Sequence, residues 1–212
     1  SIGKVLTPAK GTSCFIASST GTASVIRTEA MVRNAIYGIA AAKSTGIERP
    51  VVGVLNLDGA QSVIRVLQKL KENGYEINFA QSVRKDGGAI LRGNDLLAGT
   101  ADVCVTDTLT GNVLMKLFGA WTTGGSYESL GWGYGPSVGE GWDKVISIIS
   151  RASGAPVIAN AISLNACAVR GALPAAAAKE IAAAKAAGLD ELIAAMKPKE
   201  SAEAENVKAP PT

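Results

Sequence analysis

Apolar positions in this chain change their spacing along its length, and the changes mark out elements. Gly11 to Ser18 (GTSCFIAS) alternates and then runs apolar, which predicts a strand after an irregular or extended lead-in over residues 1–10. From Ser24 to Lys43, Val25, Val32, Ile36 and Ile39 recur near helical spacing, and Gly46 and Pro50 end that element. Val51 to Leu55 (VVGVL) is a short continuous apolar run, the signature of a strand buried on both faces. Gln61 to Asn73 places Val63, Leu67 and Leu70 on one face, with Gly74 closing the helix. Ile77 to Ala80 and Ala101 to Thr106 predict two further strands, and residues 82–94 a loop with a short helix. Leu109 to Ala120 predicts a helix with Val113, Leu114 and Leu117 inward, and Trp142 to Arg151 another. Pro156 to Ala159 (PVIA) is expected as the last strand, and two or three Ala-rich helices follow Asn165 up to Met196.

Strands that alternate with helices and are apolar on both faces predict an α/β fold, a mostly parallel sheet sandwiched by helices. Residues 1–170 form the expected α/β domain, 171–196 a helical extension and 197–212 a charged, Pro-containing tail. Ligands of such sheets collect beyond the carboxyl ends of the strands, so the strand-to-helix turns are the places to search. Three carry suitable chemistry. Asp107, Thr108, Thr110, Gly111 and Asn112 offer backbone N–H groups, hydroxyls and a positive dipole end, with Lys116 one turn further on. The same residues suit an ordinary capped helix. Ser18 to Thr22 is a hydroxyl-rich turn open to the same two readings. Ala159 to Arg170 is read as a strand end followed by a helix capped at Ser163 or Asn165. That reading puts Cys167 in a first helical turn with Arg170 on its face, an arrangement that favours thiolate. A small buried residue in an Ala-rich helix is the alternative. The Gly-rich stretch 121–141, with Trp121 and Trp132, suits either a lid or partner surface or plain loop packing.

Composition narrows the chemistry. The 212 residues include no histidine, which excludes Ser-His-Asp triads, Cys-His dyads and His-ligated metals built from this chain. Cys14, Cys104 and Cys167 are too few and too widely spaced for a disulfide framework or a zinc site. That usage fits a reducing, cytoplasmic compartment. The net charge of +3, without a Lys/Arg block, gives no nucleic-acid surface. No apolar run predicts a membrane span and no signal peptide is evident. No dinucleotide or P-loop fingerprint occurs, and no cofactor is expected. A first residue other than Met suggests a processed or excised fragment.

Val51 to Asp58 (VVGVLNLD), Gly93 to Asp107 (GNDLLAGTADVCVTD) and Thr108 to Lys116 (TLTGNVLMK), with Pro156 to Ala159, resemble the phosphate acyltransferase family of bacterial phospholipid synthesis. The resemblance covers roughly residues 11–170 in the family's order, and the Asp-x-x-Thr-Gly-Asn turn is its most specific part. It implies a fold similar to the isocitrate and isopropylmalate dehydrogenases and an activity that moves an acyl group between a thioester and phosphate. Three departures stand out: the family's N-terminal portion is absent, residues 82–92 look inserted, and Cys167 with an Ala-rich region replaces the usual ending. These departures resemble the component C alpha subunits of anaerobic glycine, sarcosine and betaine reductase complexes. That likeness implies a cysteine that accepts an acetyl group and release of acetyl phosphate. It also implies as partners a homologous beta subunit of component C and the small selenoprotein, component A. By that resemblance Cys167 is the acetyl acceptor, while Asp107, Thr108, Thr110, Gly111 and Asn112 bind phosphate. Lys116 or Arg170 would offset charge, and Asn160 or backbone N–H groups would hold the tetrahedral oxyanion. A fatty-acyl carrier protein:phosphate acyltransferase, which needs no covalent cysteine, and a noncatalytic docking subunit are the alternatives.

Overall fold

The structure, a computed structural model, describes residues 1–84 and 86–196. The tail expected over 197–212 lies outside the described residues. In chain order the elements are β1 (Ile2–Leu6), β2 (Ser13–Ala17), α1 (Arg27–Ser44), β3 (Val51–Leu55), α2 (Ala60–Glu72), β4 (Asn78–Phe79), β5 (Ile90–Leu91), α3 (Gly93–Ala98), β6 (Val103–Val105), α4 (Thr108–Ala120), α5 (Ala155–Arg170), α6 (Leu173–Ala186) and α7 (Leu189–Met196).

The strands make one sheet in the order β1-β2-β6-β3-β4, with β5 continuing along the same edge of β3 as β4. Every pairing is parallel except β1 with β2, so the lead-in has become an antiparallel edge strand. The fold is the expected α/β architecture. Side chains alternate between two apolar cores, as the pleat requires. Phe15, Ala17, Val52, Val54, Val103 and Val105 face α1 and α2, and the same core takes in Ala168, Leu173, Ile181, Leu189 and Ile193 from the last three helices. Cys14, Ile16, Leu55 and Cys104 face the other way, toward Leu91, Leu96 and Met115.

Four readings of the pattern are corrected. Pro156 to Ala159 is no strand; it opens α5, with Pro in the first turn, where its missing N–H costs nothing. A short apolar run does not distinguish strand from helix, but Val157, Ala161, Leu164 and Ala168 are buried at helical spacing and decide it. Trp142 to Arg151 is not helical. Its β-branched residues stay extended, and Ile148 exchanges two backbone hydrogen bonds of 2.9 Å with Tyr134. Val25 precedes α1 and is 98% exposed. In α4 the buried residues are Gly111, Met115 and Gly119, the last packed against Glu128 and Leu130, whereas Val113 and Leu117 are 47% and 60% exposed. The closest approach is at Gly111, against the Ser18 carbonyl, while Met115 fills the core beside Ile16.

Among the described residues no single helix is long and apolar enough to cross a membrane. None of their acidic or cysteine side chains gather in a cluster of three fit to hold a metal.

Candidate functional site at the carboxyl edge of the sheet

β2 and β6 are neighbours, so the turns that follow them are neighbours too. Ser18 to Thr22 leads from β2 toward α1, and Asp107 leads from β6 into α4. Asp107 caps α4, its carboxylate accepting the Thr110 N–H at 2.8 Å. The two turns are stitched together. Thr108 Oγ1 donates to the Gly21 carbonyl at 2.6 Å and stands 2.8 Å from Ser18 Oγ. Asn112 Nδ2 donates to the Ser19 carbonyl at 3.0 Å. A methyl at Gly111 would overlap the Ser18 carbonyl oxygen, so only glycine allows this approach. Part of the turn's polar equipment is therefore spent on joining the two turns.

What remains faces a cleft of about 380 Å³ lined by Thr22, Ser24, Val25, Arg27, Ala30, Asp107, Thr108 and Leu109. The 18-residue α1 begins at Arg27 with no side chain capping its N-terminus, which leaves its first N–H groups available. Two positive helix ends thus border one cleft. Arg27 supplies a formal charge there, held 2.5 Å from the exposed carboxylate of Asp58. The sequence reading missed Arg27, since nothing local ties it to the Asp107 turn. On the other side of the Ser18–Thr22 turn lies a second cleft of about 370 Å³, reaching Asn34 and Tyr37 of α1 and Val138, Gly139 and Ile148.

The other expected site residues stand elsewhere. Lys116 points away from the turn. Its Nζ donates to the Tyr134 hydroxyl at 3.3 Å and lies 3.7 Å from Glu128. Glu128 is buried and accepts from Tyr134 at 2.6 Å, Ser150 at 3.1 Å and Ser153 at 3.0 Å, so this hub fastens the Gly-rich stretch to α4. Burial, then the hydrogen bond to Glu128, pushes the Tyr134 phenol far up. Asn160 Nδ2 donates to the Gly131 carbonyl at 3.0 Å.

Cys167 lies in the last turn of α5, not a first turn, because α5 starts twelve residues earlier at Ala155. The dipole end nearest to it is the negative one. Four residues on, Gly171 packs so tightly on the Ser44 carbonyl that a methyl there would overlap it. Ser44 closes α1 and Arg27 opens it, roughly 25 Å away by helical rise. Cys167 and Arg170 therefore stand toward the far end of α1 from the Asp107 turn, and the structure does not bring thiol and turn together. Burial lowers the Lys4 ammonium, and the nearby, partly exposed Cys167 acts on it in the opposite sense. Lys4 Nζ sits 4.7 Å from the Trp132 ring and 5.6 Å from the Phe15 ring. Cys14 and Cys104 are buried, and burial pushes the Cys14 thiol up to about 12, which makes it inert.

Comparison with known proteins gives this geometry its setting. The chain is 56% identical over 212 residues to the glycine/sarcosine/betaine reductase complex component C subunit alpha of Peptoclostridium acidaminophilum, covering 99% of the chain and 55% of that protein. It is 32% identical over 120 residues to the phosphate acyltransferase of Phenylobacterium zucineum, covering 49% of the chain and 32% of that protein. The Thermotoga maritima phosphate acyltransferase is also 32% identical over 120 residues, 54% of the chain and 33% of that protein. The chain thus spans about half the length of the reductase subunit and about a third of the acyltransferases. A family model described as fatty acid synthesis protein matches residues 1–212, and the chain belongs to that family.

Proposed function

We propose that this chain is an acyl-transfer domain that joins an acetyl group to phosphate, working within a reductase complex of the kind its relative is named for. The observation that carries the reading is the cleft where two helix N-termini and Arg27 meet beyond β2 and β6. Such a cleft suits a small anion. Phosphate is itself a nucleophile at neutral pH, so a chain without histidine needs no imidazole base. The free N–H groups at the starts of α1 and α4, that of Thr108 among them, orient the phosphate, Asp107 holds α4 in place, and Arg27 leaves Asp58 to pair with the anion.

Cys167 is proposed as the thiol that holds the acetyl group as a thioester. Since it stands away from the cleft on its own chain, the group it carries would pass to a cleft on another subunit. The homologous second subunit and the small selenoprotein would then be the acetyl-level partners. The separation of Cys167 from the cleft favours a second reading, in which a fatty-acyl carrier protein or other external thioester delivers the acyl group directly and Cys167 is spared.

Intact-mass measurement after incubation with acetyl phosphate tests both. One acetyl group, mapped to Cys167 and lost in Cys167→Ala, supports the covalent role. A Cys167→Ala protein that still exchanges phosphate with acetyl phosphate moves the assignment to the second reading. A wild-type chain that neither labels nor binds phosphate in calorimetry rejects acyl transfer to phosphate.

A further inference from the structure

The cleft on the inner side of the Ser18–Thr22 turn has no role so far. It holds about 370 Å³ and is lined by Ser18, Thr20, Asn34, Tyr37, Val138 and Ile148, among others. Its lining mixes polar and apolar groups. Asn34 is only 2% exposed, and its Nδ2 makes a long bond of 3.4 Å to the Thr106 carbonyl. Tyr37 is 8% exposed, lines the cleft, and its hydroxyl has no hydrogen-bond partner among the described residues. The hydroxyl is therefore open to the cleft, where a bound group can accept its hydrogen bond in place of water. No Asp, Glu, Lys or Arg side chain lines this cleft, in contrast to the Arg27 cleft on the turn's outer side. The two clefts share Thr22, so a ligand that bridges the turn would be anionic at one end and uncharged at the other.

We propose that the inner cleft is the acyl subsite and that the Tyr37 hydroxyl donates to the acyl carbonyl oxygen. This rests on the acyl-transfer reading above and names the group that replaces Asn160, whose amide is bonded to Gly131. The hydrocarbon end of a short acyl group meets Val138 and Ile148. In the transfer step a phosphate oxygen forms a bond to the carbonyl carbon, and the electron pair moves onto the carbonyl oxygen, where Tyr37 donates. The C–S bond then breaks, and the departing sulfur takes the proton that hydrogen phosphate carried. Tyr37 keeps its proton throughout.

Calorimetry with two probes, acetyl phosphate and inorganic phosphate, tests this on wild type and Tyr37→Phe. The expected result is an acetyl phosphate affinity about tenfold weaker in the variant, the loss of one hydrogen bond, with inorganic phosphate affinity unchanged. The unchanged phosphate affinity also reports an intact fold. An unaltered ratio of the two affinities in Tyr37→Phe, including an equal loss of both, overturns the subsite. A wild-type chain that binds neither probe fails one level earlier, at the acyl-transfer reading itself.

Discussion

Two helix ends in this molecule dock by the same device and have opposite chemical prospects. At the start of α4, Gly111 lets the helix approach the Ser18 carbonyl; just past the end of α5, Gly171 lets the chain approach the Ser44 carbonyl. Both contacts tolerate no methyl group, and both fix one helix on the core. The first leaves unsatisfied N–H groups and positive potential facing a cleft. The second ends in carbonyls, which Gly171 N–H partly answers by donating to Cys167 O at 2.9 Å. Close glycine packing therefore does not mark a binding site by itself. The polarity of the helix end it presents, and the presence of Arg27, make the difference.

The contrast can be broken experimentally. The largest effects are expected from Gly111→Ala and Gly171→Ala, each forcing backbone apart at a cost of about 1–3 kcal/mol or more. Chemical denaturation should show a comparable loss in both, but phosphate binding should fail only in Gly111→Ala. Equal phosphate affinity in the two variants would mean that the docking of the two turns does not shape the cleft. Next, Arg27→Ala should weaken phosphate binding roughly tenfold, the loss of one charge-assisted hydrogen bond. Lys116→Ala, which removes a cation committed to Glu128 and Tyr134, should leave that affinity within about twofold in the same titration, since no hydrogen bond to the anion is lost. A larger effect at Lys116 than at Arg27 would restore the expectation drawn from spacing. On stability, the smaller effect belongs to Asp107→Ala, which removes one cap and should cost about 1 kcal/mol in thermal unfolding. A neutral result there would show that α4 is held by its stitching to Ser18–Gly21 alone.

Strands β2, β3, β4 and β6 and most helices were legible because burial leaves a mark on each, as in Val51 to Leu55, while the two-residue β5 was too short to show within its loop. Likewise the helix start at Asp107, which caps α4, followed from residue type and place after a strand. What escaped was orientation. From Val113 to Ala120 only Lys116 is polar, so hydrophobicity could not say that Gly111, Met115 and Gly119, rather than Val113 and Leu117, face inward. Four apolar residues after Gly154 could not declare themselves strand or helix until the burial of Ala161, Leu164 and Ala168 extended the pattern. That single boundary moved Cys167 from the positive end of a helix to the negative end of another.

By itself, then, the sequence determined the α/β class, the capped helix start after β6, and the lack of histidine in these 212 residues, since these depend on residue type and local spacing. Only the tertiary structure decided which residues meet. It joined the Ser18–Thr22 and Asp107–Asn112 turns through the pairing of β2 with β6, brought Arg27 to the cleft and Tyr37 to its inner side, and carried Cys167 away. Pairing and packing act between residues far apart along the chain, and no local pattern records them.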